Sequence, residues 1–178
     1  PSMITFKSKE VISNLNGLYK KILFSPKQAA VAIEWISEQY WAEDRISLLR
    51  FFIGSIVAPS VQRLLENRKN VKVKFTVLAY GGTNIGLLIN RNSYIKPKWL
   101  KLFLGWFIQI IFNPIDPKKN LPYILGNFLI INGKEDHLIP LKSSLFMQEL
   151  TPLPKKIILL DREHMGVGKK QKELLNIL

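Results

Sequence analysis

Four short apolar runs, at 45–51, 71–79, 127–132 and 156–161, alternate with stretches whose apolar residues recur at helical spacing. Strands separated by helices cannot join as hairpins; each connection must cross over, which favours parallel pairing with helices on the sheet faces. The expected class is α/β, with a mostly parallel sheet and helices on both faces. In such sheets binding and chemistry gather beyond the carboxyl ends of the strands.

The individual elements have local signals. Ser25-Pro26-Lys27-Gln28 has the form of a capping box with Pro at the first helical position, and Ala29, Ala30, Ile33, Ile36 and Tyr40 follow at helical spacing, predicting a helix over about 26–40. From Ile56 to Asn67 the spacing of Val57, Val61, Leu64 and Leu65 predicts another, with Pro59 in its early turns. Between 71 and 79 apolar residues alternate with Lys72, Lys74 and Thr76, a period of two that predicts a strand ending at Tyr80-Gly81-Gly82. A further helix is expected near 141–150.

The segment 97–112 carries Trp99, Leu102, Phe103, Trp106, Phe107 and Ile110. As a helix it would be about 24 Å long, shorter than a bilayer's hydrocarbon core, and Lys98 and Lys101 interrupt it. Three readings stay open: a buried helix, an interfacial or lid helix, and, least compatible with that length, a membrane span.

At 178 residues and 47% apolar content the chain suits one domain, 1–178, with a substantial core. It has no Cys, which removes disulfides and thiolate chemistry and fits a reducing compartment. Without a basic-then-apolar start, a cytoplasmic location is expected. The formal charge of +13 is dispersed in Lys pairs between apolar segments. That pattern suits a solvated surface or an anionic membrane, and no nucleic-acid-binding motif accompanies it. His137 and His164 are the two His, and no His-Glu-x-x-His spacing is present, so neither metal nor cofactor is expected. Tyr80 to Gly86 lacks the Gly-Lys-Ser/Thr ending of a phosphate loop and reads as the loop after a strand.

Two residues point to chemistry. Asp136 follows the run Phe128-Leu129-Ile130-Ile131-Asn132-Gly133, and His164 follows the next strand, 28 positions later. Alone, the Asp reads more readily as a turn or helix-cap residue than as a catalytic acid. In this order, both side chains can converge at one rim of a parallel sheet. A hydrolytic triad needs such a pair: an imidazole to take the nucleophile's proton, and a carboxylate to hold the imidazole's tautomer.

The segment Gly133-Lys134-Glu135-Asp136-His137-Leu138-Ile139-Pro140, with Glu163-His164 after it, resembles the acid and histidine loops of the α/β-hydrolase fold family, in which the chain order is nucleophile, acid, histidine. That resemblance implies a Gly-x-Ser-x-Gly elbow upstream, at Ile46–Ser55. The sequence there is Arg50-Phe51-Phe52-Ile53-Gly54. Phe52 therefore occupies the position of a lost nucleophile, and Ser55 is the nearest hydroxyl, a weak substitute three residues further on.

The resemblance implies an ancestor that cleaved esters, thioesters or related acyl bonds of small molecules, with Asp136 orienting His164, and it covers about 25–178. Only the final Gly of the motif is kept, so a degenerate or truncated hydrolase, a pseudoenzyme, is expected, missing the amino-terminal strands of the family. The stretch 87–122 falls where the family inserts a cap or lid, which makes Trp99, Phe103, Trp106 and Phe107 candidates for an acyl-chain wall. The alternative is a non-catalytic basic module at an anionic membrane surface.

Overall fold

A computed structural model describes residues 8–42, 46–68, 71–91 and 96–161. The apolar runs become β1 (Ile46–Phe51), β2 (Val73–Ala79), β3 (Asn127–Gly133) and β4 (Lys155–Leu160). They pair in that order and all in parallel, so the chain moves one strand sideways at each crossover. The class is α/β, as expected. Between the strands lie α2 (Ile53–Glu66), α3 (Ile85–Arg91), α4 (Lys98–Phe112), α5 (Pro117–Asn120) and α6 (Leu141–Leu150), and α1 (Ser8–Ser37) precedes β1.

The register aligns Arg50, Leu78, Ile130 and Ile157 in one row and Phe51, Ala79, Ile131 and Ile158 in the next. Side chains of the first row and its alternates face the helices: Leu78, Phe128 and Ile130 pack with Ala58 of α2, Met147 of α6 and Leu121. On the other face Val77, Ala79, Leu129 and Ile131 form a cluster to which, among the described residues, only the strands and Tyr80 contribute. Complete burial of a side chain such as Ile130 stabilises the fold by about 1.5–3 kcal/mol. The alternation seen at 71–79 predicts one wet face; Lys72, Lys74 and Phe75 are exposed, but Thr76 to Ala79 are all buried. β2 has a strand on each side and loses its solvent-facing side beyond Phe75, as central parallel strands do.

The first helix differs from expectation. Instead of starting at Ser25-Pro26, α1 runs from Ser8 to Ser37 with Pro26 inside it. A proline there leaves the carbonyl four residues earlier, that of Ile22, without its amide partner. The Ser25 hydroxyl donates to that carbonyl at 2.8 Å, so the Ser-Pro pair that resembles a cap is an internal repair. Ala30 and Ile33 of α1 then pack on Val61 and Leu65 of α2, and Glu34 pairs with Arg68.

Buried polar side chains tie helices to the sheet. Thr76 donates to Gln62 of α2 at 2.8 Å, and Gln62 donates to the carbonyl of Leu125 at 2.6 Å. Beside that contact Gly126 has φ 130°, and a methyl group on it would stand 2.9 Å from the Val73 carbonyl oxygen. Among the described residues no helix is long and apolar enough to cross a membrane. The membrane-span reading of 97–112 is thereby removed.

Candidate functional site

β1 ends at Phe51 and α2 begins at Ile53, which leaves one residue to reverse the chain. That residue, Phe52, has φ 49° and ψ −114°. A bulky L-residue meets its own backbone in this conformation, and such positions cost on the order of 1–3 kcal/mol. The turn is held from both sides. The Phe52 amide donates to the Ala79 carbonyl at 2.9 Å, and the Phe52 carbonyl accepts from the amides of Ser55 at 3.0 Å and Ile56 at 3.3 Å.

Ser55 is fully buried, with 0% exposure. Its hydroxyl is directed at two carbonyl oxygens, those of Arg50 and Ala79, each at 2.7 Å. One proton shared between two acceptors ties the ends of β1 and β2 together beneath the turn. Space there is full, because a methyl group on Gly81 would lie 2.7 Å from the Ser55 Cβ. On the other side of the turn the Arg50 Cβ and Cδ would meet a Gly54 methyl at 3.6 Å, an ordinary contact distance.

Asp136 lies beyond the end of β3 and is 4% exposed. Its Oδ1 accepts from the amides of Leu138 and Ile139, both at 2.8 Å, which fixes the carboxylate's direction through the loop backbone. The row Phe51–Ala79–Ile131–Ile158 extends through the Phe52 amide on Ala79 and the Tyr80 amide on Ile131. Phe52, Tyr80 and the loop bearing Asp136 therefore all leave the sheet at its carboxyl edge. At the same edge the Lys134 amide donates to Leu160 at 2.9 Å, and its side chain pairs with Asp161 at 2.6 Å. His164 lies three positions beyond Asp161 and outside the described residues.

The loop after β2 needs its glycines. A methyl on Gly82 would stand 2.9 Å from Ile139 and would collide with the Ser143 hydroxyl, while Ser143 donates to the Thr83 carbonyl and Thr83 donates its amide to the Ser143 carbonyl at 3.2 Å. Asn132, buried at the end of β3, donates to the Gly81 carbonyl at 2.9 Å and accepts from Gln148 at 3.1 Å. Asn132, Ser143 and Gln148 have no sequence signal that separates them from other polar residues; their partners lie on different elements.

Asp116 is a second buried carboxylate. It accepts from the amides of Asn84, Ile85 and Lys118 at 3.2, 3.1 and 2.9 Å, and from the Gln109 side chain at 2.8 Å, so one side chain caps both α3 and α5. Asp before Pro117 is a helix-start signal that sequence can show, though the reach to α3 is not. Gln109 also accepts from the Gly86 amide at 3.0 Å. A methyl group on Gly86 would overlap the Gly105 carbonyl, so α3 and α4 cross at two glycines.

The candidate acyl-wall residues point outward. Trp99 is 68% and Trp106 60% exposed, and Phe103 and Phe107 are exposed as well. Among the described residues no three His, Cys, Asp or Glu side chains are grouped as metal ligands.

No protein-family profile matches the chain, and no curated protein matches it in sequence. Its backbone does match solved structures. An esterase of Pyrococcus furiosus is 15% identical, with a TM-score of 0.58 over 86% of this chain and 59% of its own. A hyperthermophilic esterase of Pyrobaculum calidifontis is 16% identical, with a TM-score of 0.64 over 85% of this chain and 58% of its own. Acetyl xylan esterase 1 of Thermoanaerobacterium sp. is 14% identical, with a TM-score of 0.60 over 84% and 49%. The fold is that of the α/β hydrolases, and the chain spans about half to three fifths of the length of these esterases.

Proposed function

We propose that this chain descends from serine hydrolases of ester, thioester or other acyl bonds and keeps the frame of their site without the nucleophile. Asp136 orients His164 toward the turn at Phe52, in the chain order nucleophile, acid, histidine. The observation that carries this reading is the conformation of Phe52: φ 49° at a one-residue strand-to-helix reversal, where only a glycine would rest without steric cost. The α/β-hydrolase elbow is a sharp, strained turn of this kind, built to expose its central side chain. A phenyl ring there has no atom that can attack a carbonyl, and it fills space that an acyl group would need.

Ser55 takes a structural role in this reading. Its proton is already engaged with two carbonyl oxygens in a buried site, so deprotonation would cost both contacts. The chain is then a pseudoenzyme, one domain over 1–178 with 87–122 as its cap, cytoplasmic, and its ligands of interest are small acyl compounds. A fluorescent alkyl phosphonate tests the reading. The native chain remains unlabelled, and Arg50→Gly with Phe52→Ser gains a label at residue 52 that His164→Ala removes. Labelling of the native chain at Ser55 would refute it.

A second reading, a module that binds an anionic membrane surface, is favoured by one observation. The outward side of α4 is apolar in a chain of charge +13.

A further inference from the structure

The sequence 96–112 contains no Asp or Glu, and of the residues of α4 only Gly105 is buried. Trp99, Leu102, Phe103, Trp106, Phe107 and Ile110 are all about half exposed or more, and they recur at helical spacing. Their rings collect in a ridge: Phe103 and Phe107 stack at 6.3 Å with 9° between planes, and Phe103 lies 6.0 Å from Trp106. A surface helix normally turns its polar side to water. α4 turns these rings outward instead.

The rotation of α4 is fixed by what lies behind it. Gly105 packs on Gly86, and Gln109 bridges the Asp116 carboxylate and the Gly86 amide. Rolling the rings inward would break both hydrogen bonds of Gln109 and drive bulk into the glycine crossing. The helix therefore presents a large apolar stripe to the outside as part of its packed arrangement. Contiguous exposed apolar area of this extent marks an interaction surface.

We infer that the Trp99–Phe103–Trp106–Ile110 face of α4 lies in the interfacial layer of an anionic lipid bilayer, with Lys96, Lys98 and Lys101 at the headgroups. This rests on the membrane reading above and names the surface that it uses. Charge decides between lipid and a second copy of the chain. Pairing two copies brings together two bodies of +13 and two sets of lysines at the α4 amino end, whereas an anionic leaflet attracts both. Apolar rings inserted beside lysines are also how interfacial helices hold to such leaflets. Trp suits that boundary, with an apolar ring and a polar N–H.

The test uses the full chain and sedimentation with vesicles, either pure phosphatidylcholine or with about one third phosphatidylserine, a strongly anionic surface. Expected is binding to the anionic vesicles that weakens with salt, at least about a tenfold loss in Phe103→Ser with Trp106→Ser, and about a tenfold loss in Lys98→Glu with Lys101→Glu. The charge variant leaves the rings and the Gly86–Gly105 crossing untouched and serves if the ring variant does not fold. Native binding that neither variant weakens would overturn the assignment to α4 and leave the membrane reading standing. Absence of native binding to both vesicles would overturn both. Self-association lost in the ring variant, without vesicle binding, would replace lipid by a second copy.

Discussion

Replacing Phe52 by Gly and, separately, by Ala isolates the cost of its backbone. Both changes delete the ring, so the packing lost with it cancels in the comparison. Ala keeps a Cβ in the φ 49°, ψ −114° conformation, at a cost of about 1–3 kcal/mol, while Gly has no such clash. Gly in turn loses about 0.5–1 kcal/mol more backbone entropy on folding. The difference leaves Phe52→Gly more stable than Phe52→Ala by on the order of 1 kcal/mol. With a urea m-value of about 2 kcal/mol/M for a chain of this size, the midpoints separate by about 0.5 M. Leu145, exposed in the middle of α6, supplies the control: there Gly is the less stable of the two by about 1 kcal/mol. An Ala variant at residue 52 that matches or exceeds the Gly variant would show that the turn is not strained, and the elbow argument would fail with it.

Other substitutions test the parts around that turn. Ser55→Ala removes the donor to two buried carbonyls and is expected to destabilise the fold by about 1–3 kcal/mol in urea titrations, a loss a free surface hydroxyl would not show. Gly82→Ala should cost about 1–3 kcal/mol, because its methyl collides with Ser143 and Ile139; a neutral result would mean the loop shifts freely. Asp116→Ala leaves the amides of Asn84, Ile85 and Lys118 without their acceptor and should release α3 and α4 first, seen as faster amide hydrogen exchange over 85–112 than over β3. Uniform exchange in both regions would remove Asp116 as the anchor of α3 and α4.

Much of the sheet is legible in the sequence because its signals are local. Phe128 to Ile131 is an unbroken apolar run, and the strand it forms lies between two others with both faces buried. The same locality misleads at Ser25-Pro26. A cap and an interior repair use the same residues, and only the helix upstream separates them. α3 has seven residues and too little periodicity to register, and it is held by Asp116 from 31 positions away. Gln62 meets Leu125 across 63 positions, a pairing that depends on the finished crossover. Of the candidate site, the strand-to-helix turn at Phe52 and the loop after β3 that bears Asp136 can be placed from the sequence. The strain at Phe52 is implied only through the elbow resemblance, because nothing in a Phe itself signals a positive φ, and the inward turn of Gln109 that leaves α4's rings outside requires the fold.

The proposed hydrolase descent rests on one spatial claim, that the imidazole of His164 meets the Asp136 carboxylate over the turn that holds Phe52. Nuclear Overhauser contacts and the imidazole proton resonances of the selectively labelled chain measure it directly. Predicted are cross-peaks from the His164 ring to the Phe52 ring, together with a downfield Nδ1 proton that disappears in Asp136→Asn. A His164 ring without contact to residue 52, whose proton resonances ignore that substitution, would contradict the account.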